Sequence, residues 1–236
     1  MNNLNKNLFV AFKNPLKFLD YAIAYFNYKR AVAVLTDTPI KEVGKLYNEI
    51  FSSHFIAEII EKSKSRPGFS YLTMLTPFRA PTIYVLCRIF KPEVLVETGV
   101  AQGFSSAFIL NALELNNKGH LYSIDLPNQP GQEIGNKTGW LIPDSFRKRW
   151  ELILGPSREK LPALLRKLNK IDFFYHDSDH SYENMVFEFD CAWQYLKKEG
   201  LLLADDITDS LAFDQLVRNE NCKFRKLFKL GIAFKK

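Results

Sequence analysis

Apolar positions recur at two different periods along this chain, and the change of period divides it. Up to about residue 90 they fall at helical spacing. Leu16, Leu19, Ile23 and Phe26 form one stripe, and Val43, Leu46, Tyr47 and Ile50, followed by Ile56, Ile59 and Ile60, form another. Pro67–Gly68 ends that helical stretch, and the organisation changes near Phe90–Lys91–Pro92. Beyond that point short apolar runs alternate with amphipathic segments. Strands are expected at Val94–Glu97, Leu121–Asp125, Glu151–Leu154, Asp172–His176 and Leu201–Asp205. Helices are expected at Ser105–Leu115, Glu159–Leu168, Glu183–Leu196 and near Ser210–Arg218. Phe224–Leu230 and Ile232–Phe234, flanking Gly231, suggest a closing antiparallel pair. The pattern predicts a helical extension over 1–90 and a doubly wound, Rossmann-like α/β sheet over 91–236, mostly parallel with a C-terminal antiparallel strand. Right-handed crossovers then place the strand C-termini along one edge, where such sheets bind ligands.

The residues that can do chemistry collect at that edge. The first strand runs through Glu97 and Thr98 into Gly99-Val100-Ala101-Gln102-Gly103, and a helix follows at Phe104-Ser105-Ser106. A glycine turn at a helix N-terminus is a nucleotide-type site. In a dinucleotide fold a middle glycine lets the backbone approach a pyrophosphate. Here Ala101 holds that place, and Glu97 would repel a diphosphate but suits a cationic ligand. Asp125 ends the second strand, where an acid accepts both hydroxyls of a ribose. Asp177 and Asp179 follow the fourth strand, with His180 and Tyr182 close behind, and Asp205 and Asp206 end the fifth. Carboxylates meeting at one edge repel unless a cation or protons intervene. An oxygen-only set points to a hard ion, Mg²⁺ or else Ca²⁺ or Mn²⁺.

Composition narrows the partners. The 236 residues are 47% apolar and 25% charged, which is globular composition and long enough to bury a core without a staple. Three scattered cysteines, Cys87, Cys191 and Cys222, form no CxxC pair, so a reducing, cytoplasmic compartment is expected. Neither a signal sequence nor an uninterrupted apolar run of spanning length is visible. The formal charge of +6 comes from six basic residues after Glu220 (Lys223, Arg225, Lys226, Lys229, Lys235 and Lys236), which leave a neutral body and disfavour a nucleic-acid partner. We read this tail first as a solvated strand pair and second as an anion contact. The stripe from Leu16 to Phe26 suits packing on the main domain or on a second copy of the chain, with a membrane-surface helix as the alternative.

The segments VLVETGVAQGFSS, LYSIDLP, ELILGPSREKLP, DFFYHDSDHSYE and LKKEGLLLADDI, spanning about Val94 to Ile207, resemble the class I S-adenosylmethionine-dependent methyltransferases in order and spacing. The likeness is strongest to the branch with macrocin O-methyltransferase-like and cephalosporin hydroxylase-like members. The resemblance implies that Gly99 and Gly103 form the cofactor turn, with Ser105 beside it. It implies that Glu97 holds the methionine amino end and that Asp125 binds the ribose. Ser157 would line the adenine, in a loop where Pro156 replaces an acid that the family often shows, and Asp177 would face the cofactor.

Catechol-type relatives place metal ligands at positions matching Asp177, Asp205 and Asp206, although they carry Asn at the last. They place a base at the position of His180, whose ordinary pKa of about 6.5 suits proton abstraction; capping the following helix is the alternative role. His176 is expected to point into the sheet or toward the cofactor, and Trp193 to pack. Trp140, within a turn-rich segment beginning at Asn128, would belong to a lid. The activity implied is methyl transfer to a hydroxyl of a sugar or other small molecule, with a divalent ion assisting. A nicotinamide-dependent oxidoreductase, or a non-catalytic nucleoside-binding or assembly protein, would use the same sheet.

Overall fold

A computed structural model describes residues 15–64, 78–127 and 138–236. The chain divides into two compact units, Met1–Ile89 and Phe90–Lys236.

In the first unit, α1 (Pro15–Thr36), α2 (Ile40–Phe51) and α3 (His54–Lys64) precede α4 (Arg79–Phe90), whose last residue opens the second unit. Val43, Tyr47 and Ile50, one turn apart on α2, are fully buried. The inward face of α1 differs from the expected stripe: Ile23 and Phe26 are exposed, while Tyr28, Val32 and Leu35 are buried. Aromatic packing decides this. Tyr25 stands edge-on to Tyr47 at 5.4 Å, and Tyr28 lies 6.1 Å from Phe78. The Tyr47 hydroxyl pairs with Thr82 at 2.6 Å, and Glu49 accepts from Arg88 Nε at 2.9 Å and from the Tyr84 hydroxyl. The turn expected at Pro67–Gly68 lies outside the described residues.

The second unit is built on β1 (Val94–Thr98), β2 (His120–Asp125), β3 (Trp150–Leu154), β4 (Ile171–His176), β5 (Leu196–Ala204), β6 (Cys222–Leu227) and β7 (Leu230–Lys235). Its helices are α5 (Phe104–Asn116), α6 (Ser157–Leu168), α7 (Tyr182–Tyr195) and α8 (Ala212–Asn219). The seven strands lie in the order β3-β2-β1-β4-β5-β7-β6; β1 to β5 are parallel and β7 is antiparallel to both neighbours. From β1 the chain winds first toward β3 and then, from β4, the other way, so a crevice opens where β1 and β4 end. The register aligns those ends: Thr98 pairs with His176, His176 with Ala204, and Asp125 with Leu154.

The central strands read as continuous apolar runs because helices cover both faces. On the α6/α7 side Phe174, Met185, Phe189, Leu202 and Leu165 form the core, and Trp193 packs with them. Two details depart from the sequence reading. Strand β5 begins five residues earlier than expected, at Leu196, because Leu196 pairs with Ile171 before an irregularity at Glu199 (φ 65°) lets pairing resume at Leu201. The closing hairpin turns at Phe228–Lys229 rather than at Gly231. Gly231 lies inside β7, where an added Cβ would come within 2.7 Å of the Phe213 ring.

The basic C-terminus is a strand pair, as read, with β6 largely exposed and β7 buried against β5. Lys226 pairs with Asp214 and Lys229 with Asp206, while Lys235 Nζ donates to the Trp193 and Leu196 carbonyls. Lys223 and Arg225 stay exposed along β6, where charge discourages further strand addition. Among the described residues no helix is long and apolar enough to cross a membrane.

Candidate functional site

The turn after β1 is held by three backbone bonds: Gly99 N–H to Ile124 O at 2.9 Å, Gly103 N–H to Val100 O at 2.7 Å, and Ala107 N–H to Gly103 O at 2.9 Å. Gly99 has φ +82°, and a Cβ there would sit 1.9 Å from the Asp177 carbonyl oxygen. Only glycine lets the loop after β4 close onto this turn. Gly103, at φ +86°, caps α5 at a place where a Cβ would meet Gly139 Cα at 2.8 Å. The end of the expected lid, Asn128–Gly139, and the residues after it are tied to the same turn, through Gly139 N–H to Ala101 O and Leu141 N–H to Gln102 O, both 2.9 Å. The rest of the expected lid, residues 128–137, lies outside the described residues; Trp140 is half-buried just beyond Gly139.

Asp125 reaches into this turn. Its Oδ2 accepts the Ala101 N–H at 2.9 Å and its Oδ1 the Leu126 N–H at 2.8 Å. Burial raises its pKa above 3.8, and the backbone donors oppose that. A carboxylate carries about four lone-pair sites, so two remain for a vicinal diol. These remaining acceptor sites, with Ala101 where a dinucleotide site has its close-approach glycine, suit the hydroxyls of a nucleoside better than a diphosphate.

Glu97 lies beneath the turn rather than on its surface. It is fully buried, with Oε1 accepting from Ser105 at 2.8 Å and Oε2 from Ser106 at 2.6 Å and Ser123 at 2.8 Å. The Trp150 indole in turn donates to Ser123 at 2.9 Å. Ser123 faces Glu97 because the two are register partners on β1 and β2. Burial pushes the Glu97 pKa up from 4.5 to about 7, against the three hydroxyls. Between these values the folded chain keeps a proton that the unfolded chain releases, so this group's contribution to stability falls as pH rises. The loss amounts to up to about 3 kcal/mol. Glu97→Gln keeps the shape without the charge, so it should gain on the parent by that amount between pH 4.5 and 7. Denaturant midpoints at pH 5 and pH 8 test this; an unchanged difference would refute the burial account.

Asp177, Asp205 and His180 meet beyond β4 and β5. Asp177 N–H donates to Thr98 O at 2.8 Å and Asp205 N–H to His176 O at 2.9 Å, so both loops are clamped to the neighbouring strand. Asp177 Oδ2 accepts the Tyr175 hydroxyl at 3.2 Å, and Oδ1 lies 3.7 Å from His180 Nε2. The Asp177 carboxylate raises the His180 pKa above 6.5, partial burial opposes this, and Asp206 and Asp205 add to it. His180 does not cap the following helix: Ser181 holds the cap position, and Asp179 accepts the Ser181 N–H and hydroxyl. Asp206 adopts φ 49°, and its Oδ1 is 2.8 Å from Lys229 Nζ.

These carboxylates do not fit the expected metal site. Among the described residues no three or more His, Cys, Asp or Glu side chains are arranged to hold an ion. Asp206 already faces an ammonium, and Asp177 a hydroxyl and an imidazole.

Behind the edge lies a cluster that sequence reasoning missed. Glu188, on α7, is fully buried and accepts His176 Nδ1 at 2.7 Å, the Thr98 hydroxyl at 2.5 Å, the Ser178 hydroxyl at 2.8 Å and Asn184 Nδ2 at 3.1 Å. Ser157, expected at the adenine, lies on the Glu188 side and helps hold the Glu188 pKa down. His176 thus points toward α7, with its ring 5.4 Å from that of His180. One signal was available: Glu188 interrupts the apolar stripe Met185, Phe189, Ala192 on α7, and a carboxylate in such a stripe must be paired.

A search of curated proteins returns no match. The fold is the Rossmann-like methyltransferase fold. An S-adenosylhomocysteine-bound methyltransferase, PaMTH1 from Podospora anserina, superposes with a TM-score of 0.58 at 14% identity, over 78% of this chain and 88% of its own. An O-methyltransferase from Bacillus cereus in complex with S-adenosylhomocysteine gives 0.58 at 14%, over 78% and 92%. TomG, an O-methyltransferase from Streptomyces achromogenes involved in tomaymycin synthesis and solved with S-adenosylmethionine, gives 0.56 at 13%, over 78% and 91%. At these identities the likeness is one of fold. Residues 96–207, which carry every residue of the edge from Glu97 to Asp206, match the family model described as a methyltransferase domain.

Proposed function

We propose that the protein is an S-adenosylmethionine-dependent methyltransferase acting on a hydroxyl of a small molecule, with a sugar or other polyhydroxylated compound as the acceptor class. The observation that carries this reading is Asp125, anchored by two backbone N–H groups beside a glycine turn that closes onto the loop bearing Asp177. The family match and the cofactors named for the similar structures support the same cofactor, and they do not favour a nicotinamide-dependent reaction. The narrower likeness to macrocin O-methyltransferase-like and cephalosporin hydroxylase-like proteins rests on motif order alone.

When bound, the cofactor supplies a methyl group activated on a sulfonium. Asp125 binds the ribose hydroxyls, and Gly99 and Gly103 admit the chain beside it. Glu97 works from beneath, setting Ser105 and Ser106 at the start of α5, rather than by contact with the ligand. His180, oriented by Asp177, takes the acceptor's proton. The acceptor oxygen bonds the methyl carbon as the carbon–sulfur bond breaks, and the electron pair stays on sulfur. Alignment of oxygen, carbon and sulfur supplies much of the acceleration. No step is assigned to a divalent ion.

Calorimetric titration with S-adenosylhomocysteine tests the reading. The parent should bind one equivalent, and Asp125→Asn should bind about ten- to a hundredfold more weakly, because its amide points a donor at backbone donors and loses a charged acceptor. Equal affinity in the two proteins would overturn the assignment of Asp125, and no binding by the parent would overturn the cofactor.

A further inference from the structure

Strand β7 runs antiparallel to β5, pairing Ala204 with Gly231, so the hairpin turn before β7 must overhang the C-terminal end of β5. That is the end where the acids gather. The turn is fastened there twice: Ile207 N–H donates to Lys229 O at 3.0 Å, and Lys229 Nζ lies 2.8 Å from Asp206 Oδ1. Asp206 takes a left-handed conformation, φ 49°, which aspartate tolerates better than most residues. The ion pair is partly screened from water, with side-chain exposures of 36% for Lys229 and 28% for Asp206.

We infer that Lys229 is the resident cation of this edge. It stands in the electrostatic place of a divalent ion, so the site positions its ligands without metal. The topology is the reason: a β6–β7 hairpin folded back along β5 delivers an ammonium to Asp206, at the end of β5 where the acids gather. Lys229 acts through Asp206 and is a positioning residue. The inference rests on the methyl-transfer reading for what the edge binds, but the ion pair stands apart from it.

Electron paramagnetic resonance titration with Mn²⁺ on the full-length protein decides the point. The parent and Lys229→Arg should bind no Mn²⁺ at this edge. Lys229→Met removes the ammonium that holds Asp206, so that Asp206 can turn toward Asp205 and Asp177, and should bind Mn²⁺ at least about tenfold above the parent's background. Adding Asp206→Asn to Lys229→Met should remove the gain, an effect that a merely structural lysine would not produce. In parallel, S-adenosylhomocysteine affinity of the parent should be the same in Mg²⁺ and in chelator. Stoichiometric Mn²⁺ binding by the parent that Asp206→Asn abolishes would overturn the proposal, as would a Lys229→Met protein no better at binding Mn²⁺ than the parent. Should Lys229→Met fail to fold, the parent, Lys229→Arg and Asp206→Asn titrations still decide. A parent that binds no S-adenosylhomocysteine would sink the methyl-transfer reading and leave the Mn²⁺ comparison intact.

Discussion

Glu188→Ala should destabilise the second unit by about 3–5 kcal/mol, the range for breaking a buried, hydrogen-bonded charge. The substitution removes one carboxylate and leaves His176 Nδ1 and the Thr98, Ser178 and Asn184 donors facing a cavity closed to water. Each stranded donor costs on the order of 1–3 kcal/mol when it cannot reach another partner. Glu188→Gln keeps the volume and one acceptor oxygen, so it should lose about half as much. Burial raises the Glu188 pKa, but His176 and the hydroxyl donors outweigh it and hold the pKa below 4.5. The charge-dependent stability is therefore present above pH 4.5 and is lost as pH falls through the lower folded value. Denaturant unfolding at pH 7 and at pH 3.5 checks both parts. The gap between parent and Glu188→Gln should shrink at the lower pH, and a gap that widens there would contradict the assignment.

Gly99→Ala should abolish cofactor binding, with a loss of at least about a hundredfold, and cost about 2–4 kcal/mol of stability. Two effects add. Left-handed backbone at φ +82° is unfavourable for alanine, and the new Cβ would meet the Asp177 carbonyl oxygen at 1.9 Å and its carbon at 2.4 Å. Neither contact is a flexible side-chain end, and the Asp177 N–H is tied to Thr98 O, so relief requires the loop after β4 to leave the edge. Gly44→Ala is the control. Gly44 lies within α2, and a Cβ there would meet only the tip of Lys29 at 3.1 Å, which can move. The same exchange should be neutral or stabilise by about 0.5–1 kcal/mol. Melting temperatures and S-adenosylhomocysteine titrations of the two variants give the comparison; similar behaviour of both would refute the close-approach argument.

The electrostatics of the edge bear on the proposed role of His180 as base. His180 is made more basic by Asp177, Asp206 and Asp205, while Lys229 offsets part of that field at Asp206. An imidazole so placed accepts a proton more readily but also carries one more often at rest, so proton uptake from an acceptor is favoured toward the alkaline side of the ordinary histidine range.

How much of this was legible beforehand follows from what local patterns encode. The alternation of apolar runs and amphipathic stretches, with the right-handedness of crossovers, determined the order of strands and helices. It also placed Gly99, Asp125, Asp177 and Asp205 at one edge, since each stands at the end of its strand. Periodicity resolves which face of an element turns inward only when one face is plainly apolar. On α1 several faces carry aromatic or aliphatic groups, and the contacts of Tyr25 and Tyr28 with Tyr47 and Phe78 decided among them. The tertiary structure alone decided which polar groups meet. Glu97 finds three serines, Glu188 gathers donors from two strands, a loop and its own helix, and Lys229 reaches Asp206 from the far end of the chain. Those pairings depend on strand register and on distances of a few ångströms between residues far apart in sequence. A chain pattern with periods of 2 and 3.6 residues carries no such information.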